Sequence, residues 1–440
     1  MTNITIDNPL VIDHIARIEG KAGILVTIKD NKLDKVQLNI IEGPRFFEQI
    51  CVGKSFEEAV AVFPRICSFC AAAHKITAVQ AAEDAIGLQP SRQTQLLREL
   101  MYLGDQIESH ALHLFLLAIP DFLGYPDAFA MAKEYKGAVT TALSLKDIGA
   151  KIQDVIGSRY IHQENCMVGG FGKLPTKNQL RSIKMDLNEV LKPSEIALEV
   201  LSKFDLWSEV NFERQHLALK PSSAFDNNYN FLGKAVRATD GSEFPDRDYQ
   251  KHIKESVVPH SFAKHSSYKN KPFMTGALSR FTLFKDKLYG RGKELGNEYM
   301  KFMNKNNPMA NNFAQAVEMV YFVERAIQLT DHLIENLDKN EKRIIPKVTK
   351  AGSGFSITEA PRGMVAYNLQ IDENARVTKA DVITPTAMFM PIMEADVGRM
   401  AMGLLDKGFK DVEVMSKELE TIVRSYDPCV SCSVHVTKLK

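Results

Sequence analysis

Two Cys-x-x-Cys pairs stand near opposite ends of this chain, Cys67/Cys70 in RICSFCAAAH and Cys429/Cys432 in DPCVSCSVH, 362 residues apart from first cysteine to first cysteine. A pair at i, i+3 on a helical turn or tight loop points both sulfurs one way, so two pairs supply a tetrathiolate cage for one soft metal centre. Structural zinc modules usually draw both pairs from one short segment, because they fold around their own metal. Here the fold must bring the two ends of a 440-residue chain together around the site. A histidine follows each pair, His74 and His435.

Six cysteines in all, four of them in these pairs, predict reduced thiolates and metal chemistry rather than a secreted disulfide framework. The remaining two, Cys51 and Cys166, are too few for a four-cysteine iron-sulfur site. Charge is balanced, 55 Lys+Arg against 54 Asp+Glu, which leaves no footprint for nucleic acid or an anionic membrane. No run reaches the ~18 to 20 apolar residues that span a bilayer, and the N-terminus lacks a basic n-region and apolar h-region. The sequence therefore predicts a cytoplasmic protein, although a subunit can also be exported on a partner's signal. A prior of about 150 residues per domain allows three domains. No linker enforces that division, and a single unit over residues 1–440 is expected.

Ile24, Val26 and Ile28 alternate, Asp30-Asn31-Lys32 supplies a turn, and Val36, Leu38 and Ile40 alternate again, predicting a β hairpin entered through Arg17-Ile18-Glu19-Gly20. Over residues 92–118 an apolar stripe at spacings of three and four, Leu96 to Leu117, predicts a helix with His110 on its buried face. A second long helix is expected at 311–337 as the core of a bundle, and a last one at about 408–424. Turns are expected at Gly169–Gly172, Thr239–Ser242 and Lys350–Gly354. Val365, Tyr367, Leu369 and Ile371 alternate up to Asp372-Glu373-Asn374 as a second hairpin. No G-x-G-x-x-G follows a strand, so nicotinamide or flavin chemistry belongs on other chains.

These residues resemble the large, catalytic subunit of nickel-iron hydrogenases. The motif R-x-C-x-x-C-x-x-x-H is met by Arg65, Cys67, Cys70 and His74, and D-P-C-x-x-C-x-x-H by Asp427, Pro428, Cys429, Cys432 and His435. Between them fall RIEG at 17–20, MTGALSR at 274–280, EAPRG at 359–363 and ITPT at 383–386. The resemblance covers nearly the whole chain and implies a mainly helical α+β fold with a central helix bundle and peripheral β hairpins. Within the family, RICSFCAAAHKITA, HSFAKHS and YDPCVSCSVHV are similar to the alpha subunits of soluble, NADP-linked sulfhydrogenases. Lys21 after RIEG and Ala387-Met388-Phe389 after Thr386 depart from the membrane-bound uptake enzymes, and Ser68 stands where a glycine commonly follows the first cysteine of the motif.

Carried over residue by residue, the resemblance implies Cys67 and Cys429 as terminal nickel ligands and Cys70 and Cys432 as bridges to an iron that carries carbon monoxide and cyanide. Dihydrogen is then split heterolytically, the proton going to Cys429. Glu19 is the expected proton relay, a carboxylate whose pKa is raised by burial; the alternative is a buried Glu paired with Arg17 or a lysine. Arg362 would present its guanidinium to the cyanide-bearing pocket, against the alternative of a surface ion pair, and Pro385 and Thr386 would line that pocket. His74 would orient a bridging sulfur. Glu48, His435 and the carbonyl of Val382 would hold Mg2+. His110 and His113 are read as core histidines.

The resemblance also implies an iron-sulfur small subunit, further iron-sulfur and FAD- and NAD(P)-binding subunits, and a maturation endopeptidase that removes residues 436–440. Electrons from H2 would reach NADP and, in that branch, sulfur or polysulfide. A large subunit feeding a heterodisulfide reductase is the nearest alternative. A structural zinc staple would explain the cysteines but not Glu19, Glu48, Arg362 and His435, and a quinone-reductase subunit of the same fold would lack the cysteines.

Overall fold

The alternating segment at 22–40 folds as the hairpin its pattern predicts. The computed structural model describes residues 9–30, 32–43, 45–409 and 411–434. In it, β1 (Leu10–Ile12), β2 (Ala22–Lys29) and β3 (Lys32–Ile40) form an antiparallel sheet in that order, with Val26 opposite Val36. The chain then crosses α1 (Phe47–Cys51) and a tight 3-10 turn, Phe63–Ile66, which delivers Cys67. Cys70 is the residue that starts α2 (Ala71–Ile86).

α3 (Arg92–Leu112) begins at Ser91, whose hydroxyl accepts the Thr94 N–H, and continues as a π-helical segment over His113–Ala118. It packs on α4 (Lys136–Gly157) where glycines meet: a Cβ on Gly104 would lie 2.7 Å from the Gly149 carbonyl oxygen. α5 (Lys177–Leu191) packs on α4 and on α6 (Ala310–Asn336), the long core helix, whose buried residues run from Ala310 to Leu333. The expected helix at 408–424 is α8, introduced below.

The later strands place the site. β4 (Ile253–Val258) and β5 (Ser261–Tyr268) pair as a hairpin. β6 (Gly352–Ala360), β7 (Gly363–Ile371) and β8 (Val377–Ile383) form an antiparallel sheet with β7 in the middle. The hairpin expected around Val365–Ile371 is present as β7–β8, but the turn expected at Lys350–Gly354 is not: Gly352 to Gly354 already belong to β6. These glycines admit the backbone of α2, since a Cβ on Gly354 would lie 2.0 Å from the Ala81 carbonyl oxygen. In β7 every residue except Gln370 is buried, so this sheet is covered on both faces.

α7 (Pro385–Asp406), which the sequence analysis does not anticipate, starts with proline at its first position, where the missing N–H costs nothing. α8 (Val412–Ser425) is capped by Asp411 and leads to a short turn of helix, Val430–Ser433. One hydrophobic cluster extends from Leu10 to Val434, and a smaller one joins Leu217, Val236 and Phe244 to Ile357 and Met364. No helix among the described residues is long and apolar enough to cross a membrane.

Candidate active site

The two chain ends meet. Glu19 and Cys429 form a parallel β-bridge, and the Val430 N–H donates to the Glu19 carbonyl at 2.9 Å. Arg45 fastens the two cysteine loops to each other through one nitrogen, Nη2, which donates to the carbonyl of Ile66 at 2.6 Å and to that of Ser431. The Sγ atoms of Cys67, Cys70, Cys429 and Cys432 all lie within 4.8 Å of one another, and all four residues are buried. Cys67 Sγ is 3.4 Å from Cys429 Sγ, and Cys70 Sγ is 3.7 Å from Cys432 Sγ.

The Cys429 and Cys432 sulfurs are also in contact, at 2.50 Å, and complete the group. A metal held by all four sulfurs takes them as thiolates, the form that ligates. Burial works against ionising Cys67, but the hydrogen bond from Cys70 and the Arg362 charge outweigh it and bring its pKa below the usual value. Burial, with the neighbouring Cys67, pushes Cys70 well up.

Arg362 sits at the tip of the two-residue turn between β6 and β7, where Ala360 pairs with Gly363. It is buried, not a surface group. Its Nε donates to Asp427 Oδ1 at 2.9 Å, its guanidinium lies 5.6 Å from the centre of the Phe69 ring, and its Nη1 has no partner. The turn is clamped from behind by Arg280, which donates to the carbonyls of Ala360 and Pro361 at 3.2 and 3.3 Å and to Glu359 at 3.0 Å. Arg280 also forks onto Glu318 at 2.6 and 2.7 Å. Burial would raise the Glu318 pKa, but Arg280 and His110 hold it at about 2, whereas burial wins at Glu359 and lifts it to about 7.

Thr386, at the start of α7, accepts the Cys429 N–H at 2.9 Å through Oγ1, which leaves its own hydroxyl proton to donate. Pro385 beside it is buried. Glu19 is half-buried, less enclosed than the sequence predicts, and its carboxylate accepts from the Ser431 N–H at 3.0 Å and from the Ser431 hydroxyl. The alternative pairing with Arg17 does not form; Arg17 binds Asp121 and the Leu117 carbonyl. His74 is buried at the start of α2, with Nδ1 2.8 Å from the Tyr367 hydroxyl.

Glu48, on α1, accepts the Val382 N–H at 2.7 Å through Oε1, while Oε2 is buried without a partner. Burial raises its pKa to about 7 against the opposing charge of Lys264. Val382 is thus adjacent to Glu48, whereas His435 and residues 436–440 lie outside the described residues. His110 and His113 are core groups: His110 Nε2 is 2.8 Å from Glu318 and His113 Nε2 donates to the Arg424 carbonyl at 2.8 Å.

Three residues here escaped the sequence reading. Asp427, seen only as part of a motif, orients Arg362 and also accepts from Gln315 at 2.9 Å. Ser431 holds Glu19. Asp105, on α3, is buried with Oδ2 unpartnered, and burial, with Glu108 and Cys67 nearby, pushes its pKa well up. Asp105 lies off the Leu96–Leu117 stripe and three residues before Glu108, so no pattern in the sequence singles it out.

Residues 45–148 and 215–435 match the nickel-dependent hydrogenase family. The chain belongs to that family. It is 50% identical over 432 residues to the sulfhydrogenase 1 alpha subunit of Pyrococcus furiosus, covering 98% of this chain and 99% of that one. The sulfhydrogenase 2 alpha subunit of the same organism is 34% identical, with 97% and 99% covered. The fold superposes on a chain of an NAD+-reducing nickel-iron hydrogenase in its H2-reduced state with a TM-score of 0.87, at 22% identity over 97% of this chain and 99% of that one. The protein is therefore a large subunit of the nickel-iron hydrogenase type, an oxidoreductase whose family carries a nickel-iron active site. The donor set fits that group: four soft sulfurs in a buried cage, with an unpaired guanidinium nitrogen in the same pocket.

Proposed function

We propose that this chain is the catalytic subunit of a cytoplasmic, bidirectional hydrogenase that exchanges electrons with NAD(P) through partner subunits, and that residues 1–440 form a single large-subunit domain. The observation that carries the reading is the cage itself: four buried sulfurs within 4.8 Å, drawn from both ends of the chain, with the free Nη1 of Arg362 as the nearby donor. When bound, the nickel-iron group, its iron completed by carbon monoxide and cyanide, supplies the Lewis-acidic, redox-active centre at which dihydrogen is polarised. Cys67 and Cys429 would be its terminal ligands and Cys70 and Cys432 its bridges.

The rest of the reaction falls to this chain's own groups. One proton of H2 is received by the Cys429 sulfur, and Glu19, bridged to Cys429 through the backbone, takes it onward. Ser431 holds the Glu19 carboxylate in place for that transfer. Arg362, steadied by Asp427, would offer its free Nη1 as a hydrogen-bond donor and its positive charge to the iron's cyanide ligands. Pro385 excludes water from the same pocket, and the Thr386 hydroxyl donates into it. His74, at the start of α2 and fixed by Tyr367, orients the loop that bears Cys70. Glu48 and the carbonyl of Val382, joined by His435 and water, would hold Mg2+ through the buried and otherwise unpartnered Oε2.

The two electrons leave through an iron-sulfur small subunit, and FAD- and NAD(P)-binding subunits with further iron-sulfur clusters carry them on, with sulfur or polysulfide as a second acceptor. A maturation endopeptidase would cut after His435. The likeness to two sulfhydrogenase alpha subunits favours this branch over one feeding a heterodisulfide reductase. Purification of the native complex tests it. Nickel and iron at the large subunit, a copurifying flavin chain and H2-dependent NADP reduction are expected; a heterodisulfide reductase among the copurifying chains would overturn the branch, and zinc without nickel the whole reading.

A further inference from the structure

Away from the sulfur cage, His260, His265 and Glu394 converge, with one ligating atom from each lying within 4.8 Å of those from the other two. The convergence is built by a backbone irregularity. His260 ends the turn between β4 and β5, and the β4–β5 register slips between Ser261 and His265, where four steps along β5 answer only two along β4. Residues five apart on a regular strand point to opposite faces; the bulge re-aims them so that the two rings meet edge to face, centroids 5.6 Å apart. Glu394 reaches them from α7, which packs on β5. Its Oε2 accepts the Leu38 N–H of β3 at 2.8 Å and stands 2.8 Å from His260 Nε2.

What sets this cluster apart from an ordinary His–Glu pair is His265. The residue is 9% exposed, and its Nε2 is buried with no hydrogen-bond partner. A buried ring nitrogen left unpaired beside a second imidazole and a carboxylate is costly unless something else occupies it.

We propose that His260, His265 and Glu394 form a second metal site, separate from the nickel-iron cage, for a divalent first-row cation of the zinc class. Two imidazoles and one carboxylate suit Zn2+, Co2+ or Ni2+, whereas Mg2+ prefers a ligand set made mostly of oxygens. Ligands on a tetrahedral ion at ~2.1 Å stand ~3.4 Å apart, so closure needs only side-chain adjustments of about an ångström. The site ties β5, α7 and, through Leu38, β3 into one corner, and three protein ligands leave a position for water. The neighbouring Val257 and Phe262 are exposed, which places the corner at the surface where an ion can enter.

The test uses the purified complex, saturated with Zn2+ and freed of unbound ion by gel filtration, compared with the same complex carrying His260→Gln and His265→Gln. The expected result is one fewer zinc per large subunit in the variant, with nickel and iron content equal in both. Glu394→Gln, which keeps an acceptor for the Leu38 N–H, should weaken zinc binding ~10-fold to 100-fold or more, since loss of a ligand costs at least as much as loss of an outer-shell partner. Cobalt should give visible d–d bands at this site without the near-ultraviolet band of sulfur ligation. Equal zinc in the two complexes, or a cobalt difference spectrum with sulfur character, would overturn the assignment.

Discussion

The chemistry rests on single atoms that the fold leaves uncommitted. Arg362 spends Nε on Asp427 and keeps Nη1 free, so a lysine there would retain the charge but lose the fork that serves both. Arg362→Lys is expected to lower H2-driven dye reduction about 100-fold to 1000-fold, the scale for removing one donor aimed at developing charge, while nickel content stays level. Unchanged turnover would remove Arg362 from the mechanism. Glu48 makes a pH prediction. Its folded pKa of about 7 exceeds the unfolded value of 4.5, so the unfolded chain releases this proton first and, without a cation, stability falls as pH climbs from about 4.5 to about 7. Glu48→Gln should therefore gain melting temperature over the parent across that window in chelator, and Mg2+ should stabilise the parent increasingly toward pH 7. A constant difference between the two proteins would refute the assignment. At this scale the sequence was legible wherever a motif fixed residue type and spacing, as at Cys67, Cys70 and Arg362. It was silent on Ser431 and Asp105, because a serine or an aspartate acquires meaning only from what the fold sets beside it.

Elements were legible in proportion to their periodicity. The stripe on α3 and the alternation in β2 and β3 are strong two-way patterns, and they appear where expected. The start of β6 and the whole of α7 were not, for reasons that oppose each other. In β6 the glycines look like punctuation but are a packing device: Gly352 and Gly354 let the strand backbone touch α2 at Ala81 and Ala85. In α7 the prolines look like breakers, but Pro385 stands at the first helical position, and the helix runs through Pro391 under the constraint of its buried surroundings. Gly354→Ala tests the packing argument. A methyl 2.0 Å from the Ala81 carbonyl and 2.3 Å from the Ala85 nitrogen cannot be accommodated without parting strand and helix. The expected cost is about 3 kcal/mol or slightly more, at the upper end for overpacking, read from chemical denaturation, with reduced nickel retention because α2 begins at Cys70. A variant as stable as the parent would show that the contact is not tight.

For the whole molecule the governing fact is that the cage draws its sulfurs from positions 362 residues apart, which no local pattern reveals beyond the demand that the ends meet. The protein part of the closure is modest: the Glu19–Cys429 bridge, the Arg45 clamp, the Thr386 contact and the salt links of Arg424 to Asp121 at 2.5 and 3.1 Å. The helices behind it are held far more firmly, by buried networks such as Arg280 with Glu318 and Glu359 and Arg325 with Glu99. Without metal, then, the C-terminal turn can open while the bundle stays closed, a local event of low free energy. A metal bound to all four sulfurs abolishes that route, because releasing the C-terminal pair means breaking metal–sulfur bonds; opening then has to proceed with the core. Hydrogen exchange measured under reducing conditions, so that all four cysteines are thiols in the metal-free chain, should show residues 17–20 and 429–434 exchanging together and early. In the loaded chain both segments should be protected to the level of α3 and α6. Equal protection of these segments with and without metal would mean that the protein contacts alone close the ends, and that the cage is finished before its metal arrives.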